Sequence, residues 1–248
     1  LIFQRRYFIF CRGDFFLIAT LLYREVFFNW RTFTMLRASY ASAIVLMTML
    51  IAQLSVAQDP VGEITKVNGS AKLTRGATQL EPASAMPVVV GDRIQTSKSA
   101  QVTVTFLDGS RAELGEESSV TIDRYALAGP TRKASMLALW AGRLRTIVKL
   151  AAGIEPNFEV HTPNAVVAVR GTDFETAFID DRPCPEDRSC MRYTTVGVSR
   201  GLVAVSNPST AAATVEVGEG YETTVACAAA PTAPAPLGMG DLGAPGYH

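Results

Sequence analysis

Gln101-Val102-Thr103-Val104-Thr105-Phe106 places Val102, Val104 and Phe106 on one side of an extended chain, and Gln101, Thr103 and Thr105 on the other. A two-residue period is that of a half-buried β-strand. Asp108-Gly109 follows, a dipeptide that accepts the positive φ angles of a tight hairpin, and Arg111-Ala112-Glu113-Leu114 resumes the alternation. Outward from this hairpin the cadence repeats. Val120-Thr121-Ile122-Asp123, Phe158-Glu159-Val160, Val166 to Val169, Thr195 to Val198, Leu202 to Val205 and Val215-Glu216-Val217 all read as strands. Turn residues separate them: Asn68-Gly69, Arg75-Gly76, Gly91-Asp92, Gly129-Pro130, Gly142, Gly171, Arg200-Gly201 and Asn207-Pro208. The pattern predicts an all-β domain of short antiparallel or solenoid-like strands, folded as a roll or a sandwich. Arg132 to Ala141 reads two ways. It is rich in helix formers, yet Met136, Ala138 and Trp140 alternate with Leu137 and Leu139, which favours a strand.

Of the 248 residues, 48% are hydrophobic and 19% charged, which excludes a disordered polyelectrolyte. Lys plus Arg and Asp plus Glu number 23 each, so no global positive excess points to nucleic acid. The balance is uneven along the chain. Six of the basic and two of the acidic residues precede Gln58, which leaves 17 basic and 21 acidic residues from there on, a net of −4.

The amino-terminal part reads as an address. Met35-Leu36-Arg37, an apolar run from Tyr40 to Ala52, and Ser55-Val56-Ala57 ahead of Gln58 have the order of a secretory signal peptide over residues 35–57. Its apolar run is shorter than the roughly 20 residues of a membrane-spanning helix. Cleavage after Ala57 is expected, with an uncleaved membrane anchor as the alternative. Residues 1–34 mix aromatic residues with Arg at no clear period. They read as translated upstream sequence, or else as a true extension with a second membrane-inserting segment.

Three cysteines follow the predicted leader. Cys184 and Cys190 bracket a polar loop and are expected to close a small disulfide ring in an oxidising compartment, with Cys227 left over. Metal is the weaker reading, because two cysteines without a nearby His are too few for a closed zinc site. Residues 226–248 are dominated by Ala, Pro and Gly and read as a flexible tail.

Five blocks in order resemble the FecR domain: Gly91-Asp92-Arg93-Ile94-Gln95-Thr96, Phe106-Leu107-Asp108-Gly109-Ser110, Gly142-Arg143-Leu144, Phe158-Glu159-Val160-His161-Thr162-Pro163 and Val169-Arg170-Gly171-Thr172-Asp173-Phe174. The likeness covers residues 61–178, with a weaker β continuation that holds the cysteine loop over 179–225. The resemblance implies an extracytoplasmic bacterial β domain. Its best-known members are inner-membrane regulators of iron uptake, with a cytoplasmic segment that controls a sigma factor. A cleaved leader leaves no such segment here, so fold and compartment transfer and sigma-factor control does not.

The motif residues have a structural reading first. Asp108-Gly109-Ser110 is a hairpin turn. Gly171 after an alternating strand suggests a bulge or a close backbone approach, Arg170 and Asp173 are close enough in sequence to pair, and Thr172 can bond the turn backbone. No catalytic site and no cofactor are expected. His161 and His248 are the sole histidines, no nucleophile elbow surrounds His161, and no phosphate loop occurs. The expected role is a periplasmic or secreted binding or sensing module that engages an envelope protein, touching membrane only through its leader. A structural or glycan-binding envelope protein is one alternative, which an exposed aromatic row would favour; a membrane-anchored FecR-type signalling regulator is the other, if the N-terminus is not cleaved.

Overall fold

A computed structural model describes residues 58–128, 131–150, 158–169, 171–210 and 213–238. The predicted leader, the extension before it, the Gly129-Pro130 turn, Arg170 and residues 239–248 lie outside the described residues. One compact unit begins at Gln58.

Its strands are β1 (Gly62–Asn68), β2 (Ala71–Arg75), β3 (Thr78–Leu80), β4 (Pro87–Val88), β5 (Arg93–Thr96), β6 (Gln101–Phe106), β7 (Arg111–Leu114) and β8 (Ser119–Ala128). A long β9 (Thr131–Ile147) follows. Then come β10 (Phe158–His161), β11 (Val166–Val169), β12 (Asp173–Asp180), β13 (Arg192–Arg200), β14 (Leu202–Ser206), β15 (Thr214–Gly218), β16 (Tyr221–Ala226) and β17 (Ala235–Pro236). The fold is all-β, as the alternation predicts.

Two sheets share β9. Sheet A runs β4-β1-β6-β7-β9-β12-β13-β16-β17. Sheet B runs β3-β2-β5-β8-β9-β10-β11-β14-β15. All of these pairs are antiparallel except β9–β10. Strands before β9 in sequence lie on one side of it in both sheets, and strands after it on the other. The inward residues of both sheets form one core, with Ile64, Val104, Leu144, Phe174 and Val196 from sheet A meeting Leu73, Ile94, Leu137, Phe158 and Val205 from sheet B. Of the two expected forms this is the sandwich.

The ambiguous segment is the N-terminal half of β9. Held between β8 and β10, it buries Leu137 and Leu139 completely and leaves Trp140 48% exposed. Pairing on both edges overrides its helix propensity. Ala141 still faces Ser119 in sheet B, while Gly142 already faces Phe178 in sheet A. The chain changes layer there at φ +80°, and a Cβ on Gly142 would lie 2.4 Å from Ser118 Oγ and 2.6 Å from Ser118 Cα. Only glycine fits that crossing.

Candidate functional site

The motif blocks place three aspartates at strand ends, and each takes an arginine from another strand. Asp92, just before β5, is fully buried. It receives Arg75 Nε at 2.8 Å, Arg75 Nη2 at 2.7 Å and the Val89 amide at 2.9 Å. Hydrogen bonding to that carboxylate pushes the Arg75 guanidinium above its ordinary value. Gly91, one residue earlier, donates its amide to the Ile122 carbonyl and docks this turn on β8. Asp173 opens β12 and receives Arg145 Nε at 3.0 Å and Nη2 at 2.9 Å. Sequence proximity suggests Arg170 as a partner, and that residue lies outside the described residues; Arg145 comes from β9, which register sets opposite β12.

The Asp108-Gly109-Ser110 turn carries the most enclosed pair. Arg132 Nη1 bonds Asp108 Oδ2, and the two side chains are only 2% and 6% exposed. The Asp108 carboxylate also accepts from the Ser110 amide at 3.0 Å and from its hydroxyl at 2.8 Å. Ser110 Oγ lies 3.0 Å from Arg132 Nη1 and accepts the Lys149 amide at 3.1 Å. Arg132 Cζ sits 5.2 Å from the centre of the Phe158 ring, a cation–π contact. Tyr125 Oη accepts the Asp108 amide at 3.0 Å, and its ring stacks on Phe106. Burial, with the Asp108 charge adding to it, pushes that phenol up to about 12. The cluster joins the β6–β7 turn, β8, β9 and β10 around one enclosed charge pair.

Gly171 has φ +72°, and a Cβ there would come within 2.8 Å of Leu150 Cβ. Thr172, expected to bond the turn backbone, instead buries its hydroxyl without a partner among the described residues, while its carbonyl accepts the Val148 amide at 2.8 Å. Phe174 is fully buried in the core. Thr162 belongs to a buried network that sequence reading missed. Its hydroxyl lies 2.7 Å from Thr194 Oγ1 and accepts the Ala165 amide, and Asn164 Oδ1 accepts from Thr194 at 2.6 Å. Asn164 Nδ2 donates to the Val225 carbonyl at 2.7 Å, which fastens the β10–β11 turn of sheet B to β16 of sheet A. Pro163 is exposed at the tip of this turn. His161 pairs with Glu159 at 2.6 Å on the outer face of β10, with both side chains about a third exposed. Glu175 lies on the outer face of β12, where burial raises its carboxyl and the charges of Arg143 and Arg145 oppose the rise.

The cysteines correct the predicted ring. Cys190 is bonded to Cys227, with Cα atoms 5.8 Å apart, and Cys184 is a buried thiol. The pairing of β13 with β16 sets Tyr193 opposite Ala226, and the Cys227 amide continues the ladder onto the Arg192 carbonyl. Residues distant in sequence therefore meet. The described part of the segment read as a tail makes contacts of its own. Thr232 and Leu237 donate their amides to the Thr224 and Gly220 carbonyls, Pro231 is buried, and β17 pairs with β16.

The sheet edges differ in how they end. Sheet A stops at β4 and β17, two residues each and each holding a proline. Sheet B stops at the three-residue β3 and the five-residue β15, which among the described residues pair on one side only. Among the described residues the exposed aromatics Trp140 and Tyr221 stand in different sheets and form no row. Trp140 is occupied locally, under the Arg93 guanidinium at 5.5 Å and donating to Thr121 Oγ1.

Residues 92–204 match the family model described as FecR protein. That segment holds β5 to the start of β14, the strands nearest β9 in both sheets; β1–β4 and β15–β17 flank it in sequence and lie outermost in space. Two crystal structures of a protein from Parabacteroides distasonis named as a candidate anti-sigma factor, at 1.65 Å and 2.50 Å resolution, are similar at 20% identity with a TM-score of 0.41. In each case 54% of this chain aligns with 54% of the other, so the likeness spans about half of either protein. No curated protein matches the chain.

Proposed function

We propose, on the premise that this chain carries a FecR domain over residues 92–204, that it is a non-catalytic, exported sensing module that engages a protein partner of the bacterial envelope. Three features support the reading. The motif aspartates are neutralised by arginines inside the fold, which makes the motifs scaffold rather than reactive groups. The folded unit begins at Gln58, the residue after the predicted cleavage point. The Cys190–Cys227 disulfide suits an oxidising compartment.

The observation that carries the partner reading is the edge of β15. Natural sheets protect their edges by very short strands, proline, charge or cover; β15 has five residues, no proline and one charge, Glu216, and among the described residues it pairs on one side only. A partner strand adding there would gain backbone hydrogen bonds, with side chains alternating between the two faces. A photo-crosslinking residue placed at exposed Glu216 should give one dominant adduct with an envelope protein in living cells, and the same residue at Gln79 in β3 should not. Equal labelling at both positions, or none at Glu216, would sink the assignment. Full-length protein recovered from the cytoplasm with its leader intact would sink the compartment.

A further inference from the structure

We infer that the three cysteines of the folded unit form a switch between two disulfide pairings, and that the switch latches the C-terminal strap, residues 227–238, onto β16. Cys184 and Cys190 are 0% and 3% exposed and form, with Ala226, a small cluster apart from the main core, against which Cys227 and Tyr193 pack. The Cys184 amide donates to the Cys190 carbonyl at 2.8 Å. That bond closes the loop between them and brings the two backbones together, and both side chains are buried in the same cluster. Cys190 thus has two cysteines packed beside it. It is bonded to the one 37 residues away.

The step between the two states is an internal exchange. The Cys184 thiolate attacks Cys190 Sγ and forms the Cys184–Cys190 bond; the Cys190–Cys227 bond breaks, and Cys227 leaves as a thiolate that takes up the proton Cys184 gave away. One disulfide and one thiol exist before and after, so neither oxidant nor reductant is consumed.

What changes is the strap. Its other attachments are all non-covalent: the Thr232 and Leu237 amides on the Thr224 and Gly220 carbonyls, the Thr223 hydroxyl on the Thr232 carbonyl at 2.7 Å, the Thr224 amide on Thr232 Oγ1 at 3.0 Å, the Gly238 amide on Glu222, the two-residue β17, and Asn207 Nδ2 on the Cys227 and Ala229 carbonyls at 3.0 and 2.7 Å. Residues 228–236 are Ala, Pro and Thr, mostly exposed, and bury little apolar surface. The disulfide is the covalent tie that holds this segment over the β16 edge. With Cys227 released, the strap lifts and that edge opens.

The chain carries its own assay. Arg188 separates Cys184 from Cys190, and Arg192 separates Cys190 from Cys227, so tryptic peptides distinguish all three pairings. Protein recovered from the oxidising compartment is quenched in acid, labelled with maleimide and mapped, alongside amide hydrogen exchange at Thr232 and Leu237. Two populations are expected: Cys190–Cys227 with slow exchange at both amides, and Cys184–Cys190 with a labelled Cys227 and exchange faster by about tenfold or more. Cys184→Ser should hold the first state alone, and Cys227→Ser should reproduce the fast exchange. Finding only the Cys190–Cys227 peptide, or a Cys184–Cys227 peptide, overturns the exchange. Slow exchange at both amides in Cys227→Ser overturns the latch.

Discussion

Asp108→Ala removes the carboxylate from the most enclosed charge pair of the fold. Arg132 would lose the Asp108 carboxylate, in a site where its side chain is 2% exposed, and keep contacts that include Ser110 Oγ and the Phe158 ring. Removing one partner of a buried pair costs about 3–5 kcal/mol, because the remaining charge stays desolvated. The Ser110 amide and hydroxyl also lose their acceptor at the turn, which keeps the expectation toward the upper part of that range. Urea titration followed by far-ultraviolet circular dichroism reads it. With a slope on the order of 3 kcal/mol per molar for a unit of this size, the midpoint should fall by about 1–2 M. The double variant Asp108→Leu/Arg132→Met removes both charges and should recover at least half of the loss, since apolar replacement of a buried pair is often neutral or stabilising. A single variant within about 1 kcal/mol of wild type, or a double variant as unstable as Asp108→Ala, would refute the claim that desolvation of Arg132 sets the cost.

Four further outcomes follow from the same geometry. Asp173→Asn breaks the Arg145 pair, whose side chains are 32% and 21% exposed, so solvent screening should hold the loss to about 1 kcal/mol, and the loss should shrink further in 0.5 M salt in the same titration. Gly142→Ala meets both the left-handed backbone and the Ser118 contacts, and should cost about 3 kcal/mol or more by thermal unfolding. Asn164→Ala removes the bond to the Val225 carbonyl and one of the two bonds of the Thr194 hydroxyl, which keeps Thr162, and should cost about 1–3 kcal/mol by urea titration; near-wild-type stability would show that water replaces the amide. Glu175 has a folded pKa raised above the ordinary 4.5, so the folded state holds its proton more tightly than the unfolded chain. Its penalty is absent below the unfolded value and grows as pH rises through the folded one. Glu175→Gln should therefore stabilise at pH 7, and the gain should vanish by about pH 4; a gain that grows on acidification would contradict the sign.

Strands were legible where period and turn chemistry agreed. The β6–β7 hairpin needs only its alternating residues and Asp108-Gly109, and the structure places both strands on those residues. The N-terminal half of β9 was harder, because Met, Leu and Ala carry no β preference and its strand form depends on two neighbours. The acidic members of the motif turns were visible, and their partners were not. Arg75, Arg132 and Arg145 lie 17, 24 and 28 residues from the aspartates they meet, and only register brings them together. An arginine inside an apolar alternation, as at Arg132, was the one available signal. Distance also hid the disulfide: a five-residue loop between two cysteines outweighs a third that arrives through the β13–β16 pairing. The strap was invisible for a different reason. Its contacts are backbone amides, the disulfide and the side chains of Asn207, Thr223 and Thr232, and composition reports none of their partners.

The sharing of β9 between both sheets also constrains how the chain can be made. Until Thr131–Ile147 has left the ribosome, β7 and β8 each lack a neighbour, and the first eight strands present two open edges at the centre of the future sandwich. Once β9 docks, its own far edges wait for β10 and β12. Neither flank is a finished domain by itself, so folding must pass through pairings of high sequence separation, the slow regime of β proteins. During that interval the central edges are the points most open to mispairing.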